Sequence, residues 1–114
     1  MNQNNVKPLD GMRVIEMGQL IAGPFTGSVL AYYGAEVIKI DLPNGGEIRR
    51  TPPFYKDDPS LENGAFHIAL DTGKKSIIVD HLSSSGKSVI EKICQDANLV
   101  FIAFFSGGGR RLGA

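Results

Sequence analysis

The sequence has no tryptophan and a single cysteine among its 114 residues. One cysteine excludes an internal disulfide, so a reducing compartment such as the cytoplasm is the expected location. Cys94 falls on the apolar face of a predicted helix, together with Val89, Ile90 and Ile93. Because a reactive thiol needs a polar and accessible environment, this position predicts a buried structural cysteine.

Net charge and long apolar runs are also missing. Twelve basic residues balance twelve acidic ones, so no electrostatic argument supports a nucleic acid or a membrane surface as partner. No apolar run approaches the ~20 residues that a membrane helix needs. The polar start of the chain does not resemble a secretory signal. The composition therefore predicts an ordinary globular domain with neither nucleic-acid nor membrane partners.

Three common site motifs are absent as well. The turn after the first predicted strand has Gly18 and Gly23 but no G-x-G-x-x-G, which argues against classical dinucleotide binding. Gly73-Lys74-Lys75 does not complete a phosphate-binding loop, and no G-x-S-x-G supports a serine hydrolase. His67 and His81 have no cysteine or second histidine at ligand spacing, so no metal site is predicted.

The chain does contain a strand–turn–helix–strand pattern near its start. Arg13–Met17 and Glu36–Asp41 are apolar runs typical of buried strands, and the segment between them follows helical spacing from Phe25 to Tyr33. Gly23 allows a close backbone approach at the intervening turn, and Pro24 suits the first turn of a helix. Because free N–H groups at a helix start attract anions and carbonyls, we expect a ligand at this turn. The spacing of Phe25, Val29 and Tyr32, with Leu30 and Tyr33 beside them, gives the helix one apolar face.

A second strand–helix–strand unit follows a long segment, residues 42–63, that is rich in proline and glycine. Such a length without regular structure predicts a functional or disordered loop. Ser76–Asp80 is typical of a third strand, Ser83 of an N-cap whose helix ends near Asp96, and Leu99–Phe104 of a fourth strand. Residues 64–69 fit either a helical turn or an extended piece.

Two βαβ units in succession predict an α/β fold. Because their crossovers are right-handed, the four strands should be mostly parallel and form a Rossmann-like sheet. That sheet would be incomplete, with at least one face poorly covered. The domain would span residues 1–114, of which residues 1–8 form a flexible tail. Asp41 is expected to form a turn at the end of its strand. Glu47, Arg49 and Arg50 are expected to form a solvated surface patch, and an anion-binding role for the arginines stays open.

Five segments carry a family resemblance: Pro8-Leu9-Asp10-Gly11-Met12-Arg13-Val14-Ile15-Glu16, Ile21-Ala22-Gly23-Pro24-Phe25, Gly34-Ala35-Glu36-Val37-Ile38-Lys39-Ile40-Asp41, Gly73-Lys74-Lys75-Ser76-Ile77-Ile78-Val79-Asp80 and Ala97–Gly113. They resemble the class III CoA-transferases, the group of formyl-CoA transferase, carnitine CoA-transferase and α-methylacyl-CoA racemase. The resemblance covers residues 8–113. It implies the N-terminal, Rossmann-like part of a longer enzyme that moves CoA between carboxylic acids and forms interlocked dimers. A racemase remains an alternative within the family.

The resemblance also implies where coenzyme A would bind, with no metal involved. The backbone of Ile21 and Ala22 would approach CoA, and its adenine end would lie near Leu42, Val79 and Leu82. The other side of the site would be lined by Ala103, Phe104 and Arg111. Three of these residues depart from the family pattern, because Leu42, Leu82 and Ala103 stand where many members have Arg, Lys and Asn. Each lost polar contact would weaken binding.

Catalysis in the family uses an aspartate that forms covalent acyl and CoA intermediates. No aspartate of this chain matches it, so the resemblance implies a chain that is inactive by itself. Three alternatives stay open beside an inactive N-terminal segment. The chain could be a stand-alone module that binds CoA or a nucleotide, or a subunit completed by a separate C-terminal chain. It could also be a degenerate remnant with a structural role or no function.

Overall fold

The computed structural model describes residues 5–103, which form a parallel sheet with helices on both faces. The strands are β1 (Arg13–Gly18), β2 (Glu36–Asp41), β3 (Lys75–Ile78) and β4 (Leu99–Ala103). Their order across the sheet is β3-β2-β1-β4, and all three pairings are parallel. The predicted α/β fold with its parallel sheet is confirmed. Phe104, the last residue of the predicted fourth strand, lies outside the described residues.

Within residues 5–103, four α-helices accompany the strands: α1 (Ala22–Tyr32), α2 (Gly46–Arg50), α3 (Ala65–Leu70) and α4 (Ser84–Gln95). Residues 64–69, for which the sequence fitted either a helical turn or an extended piece, are helical from Ala65 onward. Residues 42–63 are more regular than the sequence predicted, because they hold α2 and a 3₁₀ turn at Tyr55–Asp57. Gly45 adopts a φ of 88° just before α2, a conformation that glycine reaches at little cost. The chain therefore turns into α2 where a loop was expected.

The N-cap predicted for α4 is present. The Ser83 Oγ accepts a hydrogen bond of 2.9 Å from the Gly86 N–H, which satisfies one of the free donors at the helix start. No helix in residues 5–103 has the length and apolar character that crossing a membrane requires.

The apolar core has two parts, one on each face of the sheet. On the α4 side, Ile15, Met17 and Ile40 pack with Ile90, and Cys94 is partly buried against them. On the α1 side, the cluster is built on Val14, Ala35 and Val37. Alternate residues of β1 and β2 thus serve opposite faces, as the pleat of a strand requires. Further along β1 and β2, toward their carboxyl ends, the α1 side carries the charged residues Glu16, Lys39 and Asp41.

The apolar face predicted for α1 is not the buried one. Phe25 is 56% exposed and Tyr32 is 75% exposed, and Val29 is exposed too. The residues that α1 buries are small or ring-shaped: Gly23, Pro24 and Gly27. The helix therefore lies close against the sheet by its backbone. Leu30 packs against the core cluster of Val14 and Val37, whereas Phe25, Val29 and Tyr32 remain exposed.

Candidate functional site

The turn between β1 and α1 lies at the carboxyl edge of the sheet, where the strand order reverses between β1 and β4. The Gln19 N–H donates to the Ala103 carbonyl at 3.2 Å, so the turn is tied to the end of β4. Ligands of open parallel sheets bind at such switch points, outside the carboxyl ends of the strands. The structure thus places the predicted ligand turn where this class of fold binds its ligands.

The turn is closed by backbone packing that leaves no room for side chains. A Cβ on Gly18 would lie 2.8 Å from the Gly23 Cα and 2.9 Å from the Pro24 Cδ. The Phe25 N–H donates to the Ile21 carbonyl at 2.7 Å, which starts α1. No side chain of the described residues caps this helix start. Backbone N–H groups at the beginning of α1 are therefore available to a ligand.

The predicted CoA-contacting residues are spread along this edge. Ile21 is 53% exposed beside the turn, and Ala22 is the first residue of α1. Ala103 meets the same turn, because a Cβ on Gly23 would lie 3.3 Å from the Ala103 Cβ. Leu42 follows β2 directly and is half-buried. Phe104 and Arg111 lie outside the described residues.

The remaining two predicted residues follow β3. The Val79 N–H donates to the Asp41 carbonyl at 3.0 Å, and its side chain packs against the core on the α4 side. Leu82 is exposed, and its N–H donates to Asp80 Oδ1 at 3.1 Å. Val79 therefore serves the core at least in part, whereas Leu82 is accessible from solvent.

Two clefts of similar size open near these residues, and they differ in chemistry. Leu42 lines a cleft of about 390 Å³ that also contains Arg49, His67 and Ser76. Ile21 lines a separate cleft of about 400 Å³ that is almost wholly apolar, formed with Phe66 and Leu70 of α3. Leu42 and Ile21 thus line two different clefts, one with charged and polar side chains and one apolar.

A buried network of charged side chains lies beneath the carboxyl edge, on the α1 side of the sheet. Glu16, Lys39 and Asp41 are each at most 4% exposed. Glu16 and Lys39 are register partners on β1 and β2. The network is balanced in charge, with three carboxylates and three cations, and these are Glu16, Asp41, Asp71, Lys39, Lys74 and Arg49.

Asp71, just after α3, is the centre of this network. Its Oδ2 accepts hydrogen bonds from Lys39 Nζ at 2.5 Å and from His67 Nδ1 at 2.7 Å. Its Oδ1 accepts from Lys74 Nζ at 3.0 Å. One carboxylate thereby joins a strand, a helix and the loop that leads into β3.

Asp41 extends the network toward the polar cleft. Lys39 Nζ lies 3.2 Å from its Oδ1, Arg49 donates to its Oδ2 at 3.1 Å, and Ser76 also donates to Oδ2. Arg49 reaches out to Glu62 at 2.9 Å. Asp41 is therefore not a simple turn former, and Arg49 is not a solvated surface residue. Both sequence-based interpretations are wrong, because α2 carries Arg49 back over the end of β2.

Glu16 is the least satisfied member of the network. Lys74 Nζ lies 2.7 Å from its Oε1, but neither Glu16 oxygen accepts a well-aligned hydrogen bond from the described residues. Burial raises the pKa of the Glu16 carboxyl above its ordinary 4.5, and the nearby Lys74 only partly opposes this. Burial acts in the same direction on Asp71, but the hydrogen bonds and charges of Lys39, His67 and Lys74 outweigh it and lower the pKa of Asp71.

The raised pKa of Glu16 and the lowered pKa of Asp71 make the stability of the chain depend on pH, and Glu16→Gln should remove the contribution of Glu16 to that dependence. A raised carboxyl pKa adds stability that is complete below about 4.5 and is lost as the pH rises through the folded-state pKa. The lowered pKa of Asp71 adds stability above about 3.8 that is lost as the pH falls. Urea unfolding across pH 3–8 should therefore show the Glu16→Gln variant lacking the gain in stability that Glu16 gives on mild acidification. Glu91→Gln, exposed on α4, is the matched control, and an unchanged profile in Glu16→Gln would contradict the assignment.

The sequence did contain a signal for this network. Glu16 is the fourth residue of β1 and Lys39 is the fourth residue of β2, and each follows two apolar residues. The two side chains have opposite charges. Parallel pairing in register then sets them side by side. The contributions of Asp71 and Lys74 could not be read in this way, because they come from a loop far along the chain.

No group of three or more His, Cys, Asp or Glu side chains in residues 5–103 has the geometry of a metal site. The acidic residues of the network are instead occupied by lysine and arginine, which are the partners that buried carboxylates usually have.

Comparison with known proteins relates this chain to CoA-transferases. The sequence profile of CoA-transferase family III matches residues 9–114. The succinate–glutarate CoA-transferase of Agrobacterium fabrum is 35% identical over 113 residues, which cover 96% of this chain and 28% of that enzyme. The probable fatty acyl-CoA transferase Rv3272 of Mycobacterium tuberculosis is 36% identical over 110 residues, which cover 96% of this chain and 27% of that protein.

Solved structures show the same relationship. A CAIB/BAIF family protein from Brucella suis superposes with a TM-score of 0.78 at 35% identity, covering 94% of this chain and 28% of that one. The chain thus spans little more than a quarter of the length of the relatives it matches. With the profile matched over nearly its whole length, the chain belongs to CoA-transferase family III, the class III CoA-transferases.

Proposed function

We propose that this chain forms part of the coenzyme A site of a CoA-transferase and binds CoA along the carboxyl edge of its sheet. The observation that supports this most directly is the β1–α1 turn, which lies at the switch point with an uncapped helix start. Backbone N–H groups at such a start suit the phosphates or the thioester carbonyl of an acyl-CoA. Membership of a CoA-transferase family supports CoA as that ligand.

The proposed contacts are those of Ile21 and Ala22 at the turn, with Ala103 beside them. Leu42, Val79 and Leu82 would face the adenine end, and Phe104 and Arg111 would close the other side. Apolar contact from Ile21 and Leu82 suits the pantetheine and adenine, since both side chains are exposed at the edge. Binding should be weak, because Leu42 and Leu82 offer no positive charge to the CoA phosphates.

The chain by itself should not transfer CoA. The covalent aspartate of the family has no counterpart among its aspartates, and the relatives that carry the named activities are more than three times as long. We therefore propose that the activity needs further polypeptide, either the remainder of a longer protein, a separate C-terminal chain or a second copy. Phe25, Val29 and Tyr32 support this, because they leave α1 with an exposed apolar face of the kind that partners cover. A cytoplasmic location remains part of the proposal.

Calorimetric titration of the 114-residue chain with CoA tests the proposed site, with the mass of the chain followed by light scattering. We expect weak binding that Leu82→Lys tightens about tenfold, because a new charge-assisted contact to phosphate is worth about 1.4 kcal/mol. The same preparation should show no exchange between a CoA thioester and a free carboxylic acid above the buffer rate.

Val89→Lys is the matched control for that titration. Val89 is an exposed apolar residue of α4, so the substitution adds the same charge away from the proposed contacts. An equal tightening by Val89→Lys would show unspecific attraction and contradict the assignment of Leu82. Absence of CoA binding in both the unmodified chain and Leu82→Lys would contradict the proposed site.

A further inference from the structure

The side chain of Lys74 lies beneath the first two turns of α1. Its ammonium group contacts Glu16 Oε1 at 2.7 Å, donates to Asp71 Oδ1 at 3.0 Å and donates to the Pro24 carbonyl at 2.8 Å. The side chain is 1% exposed. The ammonium group thus makes two hydrogen bonds, to the start of α1 and the end of α3, and an ion pair with Glu16 of β1.

The contact with Pro24 is a side-chain hydrogen bond that ties the start of α1 to the charged network below it. No described side chain caps the helix, and the turn before it is packed backbone to backbone through Gly18 and Gly23. One turn later, Gly27 lies over the Glu16 carboxylate, so close that a Cβ there would meet Oε1 at 2.0 Å. The first two turns of α1 therefore rest on the Glu16–Lys74 pair.

We propose that Lys74 is a positioning residue that holds the Gly18–Pro24 turn in the arrangement that receives CoA. It does so by donating to the Pro24 carbonyl while Glu16 and Asp71 fix its ammonium group from below. The inference rests on the proposed function in that CoA is taken as the ligand. Lys74 itself is buried under the helix and makes no contact with the ligand.

If Lys74 only stabilises the fold, then restoring stability should also restore CoA binding. If Lys74 positions the turn, binding should stay weak after stability is restored, and removing its charge together with that of Glu16 separates the two cases. Lys74→Met deletes the donor to Pro24 and also leaves Glu16 buried without its counter-ion, so it should lower stability as well as binding. Glu16→Gln combined with Lys74→Met removes both charges of the pair, while Asp71 keeps Lys39 and His67. The double variant should regain much of the stability lost in Lys74→Met.

The decisive measurements are the urea midpoint and the Kd for CoA of the same three proteins, the unmodified chain, Lys74→Met and the double variant. We expect the double variant to recover toward the original midpoint while its Kd stays raised about tenfold, because the Pro24 carbonyl still lacks its donor. Recovery of the Kd together with the midpoint would overturn the proposal. Lys75→Met is the control, since Lys75 is exposed and paired with Glu36 at 2.5 Å.

A readout without CoA separates this inference from the proposed function. Amide chemical shifts of Ala22, Gly23 and Phe25 in the ligand-free chain should change in the double variant and not in Lys75→Met. Unchanged shifts at these three amides would overturn the role of Lys74 whether or not CoA binds. Changed shifts in a chain that shows no CoA binding would support the role of Lys74 while contradicting the proposed ligand.

Discussion

Asp71→Asn is expected to lower the free energy of unfolding by about 3 kcal/mol, the largest effect that we predict for a single substitution. The carboxylate accepts from Lys39, Lys74 and His67, and its side chain is 6% exposed. Asparagine keeps the shape but removes the negative charge, so the buried network would hold three cations against two carboxylates. An uncompensated buried charge costs more than the ion pair contributed.

Urea unfolding at pH 7 measures this effect. Asp96→Asn is the matched control, because Asp96 is exposed at the end of α4 and should change the midpoint little. If Asp71→Asn lowers the free energy of unfolding no more than Asp96→Asn does, the network does not contribute to stability.

Gly27→Ala is expected to destabilise the chain by about 2–3 kcal/mol, although alanine is the better helix former. An added Cβ would lie 2.0 Å from Glu16 Oε1 and 3.1 Å from Lys74 Cε. The carboxylate cannot move away freely, because it is fully buried and paired with Lys74. Either α1 rises from the sheet or the ion pair breaks.

A double-mutant cycle tests this mechanism. Glu16→Asp shortens the side chain by one methylene, so the loss caused by Gly27→Ala should be smaller in the Glu16→Asp background. Ser28→Ala, at the next position of α1, is the control for the change in helix propensity. Additive effects of Gly27→Ala and Glu16→Asp would contradict the proposed clash.

The regular elements were largely readable from the sequence. The apolar runs of β1 and β2, the N-cap at Ser83 and the spacing of α4 each depend on residues within one short segment. Parallel pairing also followed, because two βαβ units restrict the topology. The short helix α2 was missed, since it lies within a segment dominated by proline and glycine.

The buried face of α1 could not be predicted in this way. Phe25, Val29 and Tyr32 form a regular apolar pattern, yet they are exposed, and Gly27 is buried in their place. Helical spacing shows that a helix has an apolar face, but it does not show what lies opposite the other faces. Here the sheet presents Glu16 to α1, and only a glycine leaves room for it.

The sequence by itself determined the α/β class, the order of the strands along the chain, the turn before Pro24 and the family. These features follow from local spacing, capping and motif residues, which act over a few positions. The tertiary structure alone decided which charges are buried and what supports that turn. Glu16, Gly27 and Lys74 meet although Glu16 and Lys74 are 58 positions apart in the sequence, so only the folded chain brings them together. The turn was visible in the sequence, but the lysine beneath it was not.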